Sequence, residues 1–272
     1  MERAPDPAVR EFVASRSVLK VGPEGARREE DWLLAEVPLT LILNGREFVT
    51  LLCTPQHVED LLRGFLFSEG LITRREDLTS LRLRENGQVA EVETAGGGAA
   101  LGEKLFGKRT VTTGCGRGTI FYHVSDALQT RKLTWAGRVS AAAVSELARF
   151  WQERTRLFLL TGCAHSAALC TPAGEVLAVR EDIGRHNAVD KVIGCALAEG
   201  WALEDKLLFT TGRISSEILI KAAKARIPVL ASHSAPTELA VAFGEELGVT
   251  ILGFVRGRRM NVYTHPERVA LE

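Results

Sequence analysis

The sequence lacks the features that mark membrane-spanning and nucleic-acid-binding proteins. Its 272 residues carry 34 Lys plus Arg and 34 Asp plus Glu, so the formal net charge is zero. This balance argues against bulk electrostatic binding to nucleic acid or to an anionic membrane. No apolar run approaches the roughly 18 residues that a membrane span needs, and the opening Met-Glu-Arg-Ala-Pro-Asp-Pro lacks the apolar core of a secretory signal. We predict a cytoplasmic protein with no nucleic-acid or membrane partner.

The cysteine patterns of disulfide scaffolds and zinc sites are also missing. The five cysteines are odd in number and scattered, which suits a reducing compartment. No Cys-x-x-Cys pair occurs, and a zinc site needs about four ligands at workable spacing. The Gly-rich loop ending in Gly-Lys-Ser/Thr and the Gly-x-Gly-x-x-Gly turn are absent as well. We therefore expect no metal site and neither of those two nucleotide-binding folds.

The elements that are present predict a smaller β-rich α+β domain over residues 31–138, after a charged, partly extended segment over residues 1–30. Asn-Gly turns between alternating apolar residues predict two hairpins, and a Thr-Pro pair predicts a helix start. The hairpins cover residues 37–53 and 81–92, and the helix covers residues 54–68.

The second half, residues 139–272, has a different pattern in which buried strands alternate with helices. Strands are predicted at residues 157–160, 166–170, 176–179, 207–211, 228–232 and 249–255. Helices are predicted at residues 140–151, 184–199, 215–225 and 236–247. This alternation indicates a three-layer α/β domain with a largely parallel sheet, preceded by a hairpin.

The most informative stretch, residues 180–194, reads Arg-Glu-Asp-Ile-Gly-Arg-His-Asn-Ala-Val-Asp-Lys-Val-Ile-Gly, and its first part, residues 180–191, is the polar motif. It lies where a helix begins, and the free N–H groups and the dipole of a helix start favour anions. A capped helix start alone would need one Asp or Asn. The excess of polar residues favours a binding site, and a structural polar cluster is the alternative.

Three loops at predicted strand ends add hydroxyl, glycine and arginine residues. They are residues 210–217, residues 232–237 and residues 256–259. In an open α/β sheet, ligands bind beyond the carboxyl ends of the strands. Ordinary helix capping would explain each hydroxyl residue alone, but the combination predicts a phosphate-bearing, nucleotide-like ligand.

Cys115 is the candidate nucleophile. It lies between glycines in Thr-Thr-Gly-Cys-Gly-Arg-Gly, and these glycines predict an exposed, mobile loop, while Arg117 can favour the thiolate. The alternative is a small buried hydrophobe, as predicted for Cys53, Cys170 and Cys195. Cys163 and His165 would share one strand face; we predict Cys163 as a packing residue and His165 as a polar pocket residue.

The polar motif, with Thr161-Gly162-x-Ala164-His165 before it and Thr-Gly-Arg-Ile-Ser-Ser-Glu at residues 211–217 after it, resembles the FdhD/NarQ family of formate dehydrogenase accessory sulfurtransferases. Further matches follow in the same order to roughly residue 264. The resemblance implies a cytidine-deaminase-like three-layer α/β domain, a smaller domain and a homodimer. It also implies that sulfur passes as a persulfide from a cysteine desulfurase to a molybdenum or tungsten bis-pterin guanine dinucleotide, the cofactor of formate dehydrogenase, with guanine nucleotide as a partial mimic.

The resemblance makes Cys115 the persulfide carrier and places the cofactor among the polar residues of the motif and the strand-end loops. These residues are Arg180, Asp182, Arg185, His186, Asn187, Asp190, Lys191, Thr211, Gly212, Arg213, Ser215, Ser234, Thr237, Phe254 and Arg256. Several members have Cys-x-x-Cys in the loop, whereas this chain has Gly118 at the second position. One nucleophilic sulfur still suffices to hold a persulfide.

Two other functions remain open at this point. A zinc deaminase needs His-x-Glu and Pro-Cys-x-x-Cys, and this chain has His186-Asn187-Ala188 and no Pro-Cys pair. A non-catalytic chaperone of the cofactor or of apo-formate dehydrogenase differs from a sulfur carrier only through the use of Cys115.

Overall fold

A computed structural model describes residues 6–95 and 131–271. These residues form strands β1 Val13–Gly22, β2 Gly25–Leu34, β3 Val37–Leu43, β4 Arg46–Cys53, β5 Leu78–Arg84, β6 Val89–Thr94, β7 Val139–Ser140, β8 His165–Cys170, β9 Val176–Asp182, β10 Leu207–Thr210, β11 Val229–Ser232, β12 Thr250–Arg256, β13 Arg259–Val262 and β14 Val269–Ala270. The helices are α1 Val58–Ser68, α2 Ala141–Arg154, α3 Arg156–Thr161, α4 Arg185–Glu199, α5 Ser216–Lys224 and α6 Glu238–Leu247. No helix in this part of the chain is both long and apolar enough to cross a membrane.

The smaller sheet has the strand order β4-β3-β6-β5 and is covered by helix α1. Its two hairpins confirm the Asn-Gly predictions, since Asn44 and Asn86 both adopt the positive φ that such turns require. Leu39, Leu41 and Leu43 alternate along β3 toward the helix and are fully buried. One apolar face against one helix is sufficient to stabilise a small sheet of this kind.

The larger sheet has the strand order β13-β12-β11-β10-β8-β9. The three strands β10, β11 and β12 are parallel, and β8, β9 and β13 run antiparallel to their neighbours. Helices α4, α5 and α6 cover one face, and α2 covers the other. This confirms a three-layer α/β arrangement with an initial hairpin. The expectation of a largely parallel sheet was wrong, because the hairpin β8-β9 and the edge strand β13 make three of the five strand pairings antiparallel. The cytidine-deaminase-like assignment stays a prediction.

Three predictions for individual segments differ from the structure. The apolar run 157–160 was expected as a strand and is helix α3, because short apolar runs do not distinguish strand from helix. The side chain of Glu181, on β9, accepts hydrogen bonds from the backbone N–H groups of Leu157 and Phe158 at 3.0 Å each. This tertiary cap supplies a helix start that the local sequence does not encode.

The amino-terminal segment is more regular than expected. Strands β1 and β2 form an antiparallel hairpin whose ladder runs from Val13 opposite Leu34 to Gly22 opposite Gly25. The segment shows little periodicity because most of its residues are exposed on both faces. Its base packs on Leu157 of helix α3, and the remainder has few contacts with the protein core.

The start of helix α1 also differs, because the helix begins at Val58 and not at the Thr54-Pro55 pair. His57 precedes it in the left-handed region, with φ 54°. Thr54 is completely buried and its backbone and side chain bond to the larger unit. The Thr-Pro pair therefore lies in the connection between the two units and not at a helix cap.

Helices α1 and α4 join the two units at a close crossing through two glycines. A Cβ atom on Gly64 would lie 1.8 Å from the carbonyl O of Asp190, and one on Gly194 would lie 1.8 Å from the carbonyl O of Asp60. Glycine is therefore required at both positions for the backbones to approach so closely.

The larger unit also includes Leu133, whose N–H bonds to the Leu247 carbonyl at 2.8 Å.

Candidate functional site

The polar motif, residues 180–191, forms a clamp between the two units. Lys191 Nζ lies 2.6 Å from Asp182 Oδ2 and donates to the Thr54 carbonyl O at 3.0 Å. Asp182 Oδ2 also accepts the N–H of Thr54 at 3.1 Å. Lys191 and Asp182 are both 0% exposed. The opposite charges of the pair therefore balance each other within the protein and hold the connection that follows β4.

Two other members of the motif bond to the elements on either side of this connection, β4 and helix α1. Asn187 Nδ2 donates to the Leu52 carbonyl O and to Asp182 Oδ1, both at 2.9 Å. Arg180 Nε donates to Asp60 Oδ2 on helix α1 at 2.9 Å. These contacts favour the structural alternative for this part of the motif.

Asp190 belongs to a second buried cluster at the end of helix α1. Its Oδ1 accepts the Ser68 hydroxyl at 2.7 Å, and its Oδ2 lies 2.5 Å from Lys221 Nζ on helix α5. Asp190 is buried and so is Lys221. The contacts given above for Arg180, Asp182, Asn187, Asp190 and Lys191 are all with other residues of the protein. A ligand role for these five residues stays a prediction.

A cavity of about 650 Å³ opens where the parallel strands of the larger sheet end. Thr211 and His233 directly follow β10 and β11, Arg256 is the last residue of β12, and His165 begins the antiparallel β8 at the same edge. The cavity is lined by Trp151, Thr155, Phe158, Leu159, Gly162, Cys163, Ala164, His165, Ile183, Thr211, His233 and Arg256. It therefore occupies the ligand position expected for an open α/β sheet, and Thr211, Arg256 and His165 lie where the sequence predicted.

Aromatic rings form one wall of the cavity. Trp151 of helix α2 packs on Phe209 of β10 with ring centroids 5.1 Å apart, and Phe209 makes an edge contact with His233 at 5.0 Å. Phe209 is fully buried, so it holds the other two rings in place from behind. Flat apolar walls with a few polar groups are typical of small-molecule sites.

The two histidines of the cavity are held in the neutral form. Burial lowers the pKa of His233, and His233 Nδ1 lies 2.7 Å from the Val255 carbonyl O. Because a carbonyl only accepts, the neutral ring carries its proton on Nδ1 and leaves Nε2 as an acceptor. Burial, and then the charge of Arg185, lowers the pKa of His165, whose Nδ1 lies 3.5 Å from Thr211 Oγ1.

Positive charge surrounds the cavity edge. Arg256 and Arg213 are exposed, and Arg256 Nε reaches the His233 carbonyl O at 3.4 Å. Arg185 and Arg213 are both close enough to lower the pKa of His165. Guanidinium groups are suited to phosphate because they donate several hydrogen bonds from a fixed plane. The cavity edge therefore favours an anionic ligand.

The hydroxyl residues of the strand-end loops have defined structural partners. Ser215 caps helix α5 by accepting from Ile218 N, and Thr237 caps helix α6 by accepting from Ala240 N. A Cβ on Gly212 would lie 2.8 Å from the Arg185 Cβ, so this glycine permits close approach of the loop to Arg185. These loops hold the two helix starts beside the cavity edge.

Phe254 and His186 complete the predicted set. Phe254 has φ 52° within β12, a strained conformation for an aromatic residue, and its side chain is 41% exposed. Its backbone N–H donates to the Ser234 carbonyl O at 3.0 Å. His186 Nε2 lies 2.9 Å from Glu217. Burial alone would raise the pKa of Glu217, but the hydrogen bond with His186 lowers it.

The sequence-based prediction missed part of the cavity and was wrong about one cysteine. Three residues that line the cavity were not predicted as site residues: Trp151, Phe158 and His233. Of these, only His233 had a sequence signal, which was its position at the end of a predicted strand. Cys163 is exposed on the cavity wall and is not a packing residue, because the left-handed Gly162 ends helix α3 just before it. Cys115 lies outside the residues that the structure describes.

The fold and the site define an α/β protein with a cavity, edged by arginine, at the carboxyl edge of its larger sheet. A model of the FdhD/NarQ family matches residues 34–270. The chain belongs to this family.

Individual relatives agree over nearly the whole chain. The sulfur carrier protein FdhD of Bacillus subtilis (strain 168) is 42% identical over 256 residues, which cover 94% of this chain and 97% of the relative. That of Geobacillus kaustophilus is 42% identical over 243 residues, covering 89% and 92%. A crystal structure assigned as a formate dehydrogenase accessory protein from Desulfotalea psychrophila has a TM-score of 0.77 and 25% identity, and covers 95% of this chain and 100% of that one.

Proposed function

We propose that this chain is a sulfur carrier and sulfurtransferase that serves formate dehydrogenase. Cys115 accepts sulfane sulfur from the persulfide of a cysteine desulfurase. The sulfur then passes to the metal of a molybdenum or tungsten bis-pterin guanine dinucleotide cofactor bound at the cavity edge. The single observation that carries the proposal is the cationic, aromatic-walled cavity of a chain whose relatives are named sulfur carrier proteins.

The chemistry requires one nucleophilic sulfur on this chain. The Cys115 thiolate attacks the outer sulfur of the desulfurase persulfide, a new S–S bond forms on Cys115, and the desulfurase thiolate leaves with the electron pair. This loading step consumes no oxidant or reductant, because the sulfane sulfur only changes its thiol partner. The dinucleotide is the substrate that receives this sulfur.

The cavity suits one part of such a dinucleotide. A volume of about 650 Å³ is typical of sites for drug-sized ligands, so a guanine nucleotide fits as a partial mimic of the larger cofactor. Arg256 and Arg213 would pair with phosphate, and the neutral His233 offers an acceptor for a ring N–H. Phe254 adds an exposed aromatic face at the edge of the same sheet.

The predicted site residues therefore divide into two groups. The proposed ligand contacts are Arg185, His186, Thr211, Gly212, Arg213, Ser215, Ser234, Thr237, Phe254 and Arg256, together with the cavity-lining His233. Arg180, Asp182, Asn187, Asp190 and Lys191 support them by holding the two units together. In this arrangement the helix start at Arg185 connects the clamp to the cavity edge.

The proposal also carries the remaining expectations from the resemblance. These are a cysteine desulfurase and formate dehydrogenase as partners, a homodimer, a cytoplasmic location and a cytidine-deaminase-like larger domain.

The test separates binding from transfer. Guanosine diphosphate binding is measured by calorimetry, and formate dehydrogenase activation is measured in a strain that lacks its own carrier. Cys115→Ala should bind the nucleotide as wild type does and fail to activate the enzyme. Arg256→Gln should weaken nucleotide binding. Activation by Cys115→Ser would instead support the non-catalytic chaperone, and loss of both properties in Cys115→Ala would indicate a structural role for its loop.

A further inference from the structure

Cys163 is an exposed thiol on the wall of the cavity. It follows Gly162, whose φ of 67° ends helix α3, and its backbone N–H is fixed by Thr161 Oγ1 at 3.1 Å. The other cysteines in the described part of the chain, Cys53, Cys170 and Cys195, are buried. Burial raises the pKa of Cys53 and of Cys170 to about 12, so both remain protonated. Cys163 is therefore the thiol of the described residues that a ligand in the cavity can reach.

A second observation points to a ligand in the same cavity. Trp151 lines it and is only 3% exposed, yet its Nε1–H has no hydrogen-bond partner within the described residues. A buried donor without an acceptor costs free energy, so such groups in native proteins usually meet water or a ligand. An anionic ligand in the cavity would supply the missing acceptor.

The cavity also contains groups that suit sulfur chemistry. His233 Nε2 is an acceptor because Nδ1 donates to the Val255 carbonyl, so it can take a proton from a thiol that reaches it. Arg256 places a positive charge at the cavity edge, which attracts an anionic sulfur donor. Phe158 and Leu159 add apolar surface to the cavity wall beside Cys163.

We propose that Cys163 is a second sulfur-accepting thiol, which takes sulfane sulfur from a persulfide donor and holds it in the cavity. The inference rests on the proposed function, under which the donor is Cys115. The Cys163 thiolate attacks the outer sulfur of the donor R–S–SH. A new S–S bond forms on Cys163 Sγ, the S–S bond of the donor breaks, and R–S⁻ leaves with the electron pair. The proton remains on the transferred sulfur, and no oxidant or reductant is needed.

This role gives the chain a two-thiol route despite Gly118. Residue 118, three positions after Cys115, is glycine, so the second thiol of such a route must come from elsewhere in the sequence. Cys163 provides it beside the cationic edge of the cavity.

The first experiment follows labelled sulfur. The protein is charged by a cysteine desulfurase with isotopically labelled cysteine, and the sulfane sulfur is located by alkylation and peptide mass spectrometry. We expect label on Cys115 and Cys163 in wild type, on Cys115 alone in Cys163→Ala, and on neither in Cys115→Ala. Label on Cys115 but never on Cys163 would overturn this inference alone. Label on Cys163 but not on Cys115 would support the cavity thiol and overturn the proposed function.

A second experiment asks whether the cavity, and not exposure alone, makes Cys163 reactive. In a Cys115→Ala background, the rate of sulfur uptake from glutathione persulfide is compared with that of a control thiol. The control is Ser17→Cys with Cys163→Ala, which places an exposed cysteine on the amino-terminal hairpin. Attraction of the anionic donor by Arg256 should make Cys163 about tenfold faster at low salt. Equal rates for the two thiols would overturn the inference.

Discussion

At the scale of single residues, Lys191 shows how a charged side chain can be held within a fold without any exposed surface. Asp182 Oδ2 lies 2.6 Å from its Nζ, and the Thr54 and Glu181 carbonyls accept its remaining protons. A buried pair of this kind adds little net stability by itself, but losing one partner leaves an uncompensated charge. The residue is therefore tied to the junction of the two units.

Lys191→Met should lower the free energy of unfolding by about 3–5 kcal/mol, because Asp182 would stay buried without its cation. Urea denaturation measures the change. Lys20→Met is the matched control, since Lys20 forms an exposed pair with Glu29 at 2.8 Å, and it should leave the midpoint unchanged. A small effect of Lys191→Met would contradict the clamp.

His233 gives a second prediction at this scale. Its pKa should lie below the ordinary 6.5, because burial disfavours the charged ring. The stability that the neutral ring contributes is fully present above the unfolded pKa and is lost as pH falls toward the lower folded pKa. Histidine proton NMR measures the pKa directly, and a value at or above 6.5 would contradict the neutral acceptor.

At the scale of elements, the crossing of α1 and α4 depends on glycine more than on helix propensity. Alanine is favoured over glycine in a helix by about 1 kcal/mol. At Gly64, however, the added Cβ would meet the backbone of Asp190 at 1.8 Å, and backbone atoms cannot move aside cheaply. Steric overlap therefore outweighs propensity.

Gly64→Ala should destabilise the protein by about 3 kcal/mol or more, at the upper end of the cost of overpacking. Thermal unfolding followed by circular dichroism measures the loss. Gly22→Ala is the control, because nothing lies within 4 Å of an added Cβ there. If Gly64→Ala were as stable as Gly22→Ala, the close helix crossing would be wrong.

Local chemistry predicted some elements well and others poorly. The Asn44-Gly45 and Asn86-Gly87 turns encode their hairpins within a few residues, so the sequence was sufficient. Helix α3 depends on a carboxylate from Glu181, which lies 24 residues further along the chain from Leu157. The residues of a short apolar run do not indicate that such a distant cap exists, and the prediction of a strand was wrong for this reason.

At the scale of the whole molecule, the polar motif also shows that local sequence does not reveal distant partners. Its residues are polar at a helix start, which from sequence favours a ligand site. In the structure, Asp182 bonds Thr54 across 128 residues, and Asp190 bonds Ser68 across 122. Only the assembled fold reveals these partners. The position of the cavity was predictable, because strand carboxyl ends meet at one edge of a parallel sheet.

The two units contribute different parts of the proposed site. The larger unit provides the cavity, its cations and Cys163, while the smaller unit is fixed to it by the clamp and the glycine crossing. Cys115 lies in the sequence between them. The proposed sulfur transfer would join Cys115, which lies outside the described residues, to a site built by the larger sheet.

The most direct test of this account is intact-protein mass spectrometry after incubation with a cysteine desulfurase and cysteine, with wild type and Cys115→Ala in parallel. We predict a gain in mass of one or more sulfur atoms on wild type and none on Cys115→Ala. No gain on either protein, or an equal gain on both, would contradict Cys115 as the entry point for sulfur.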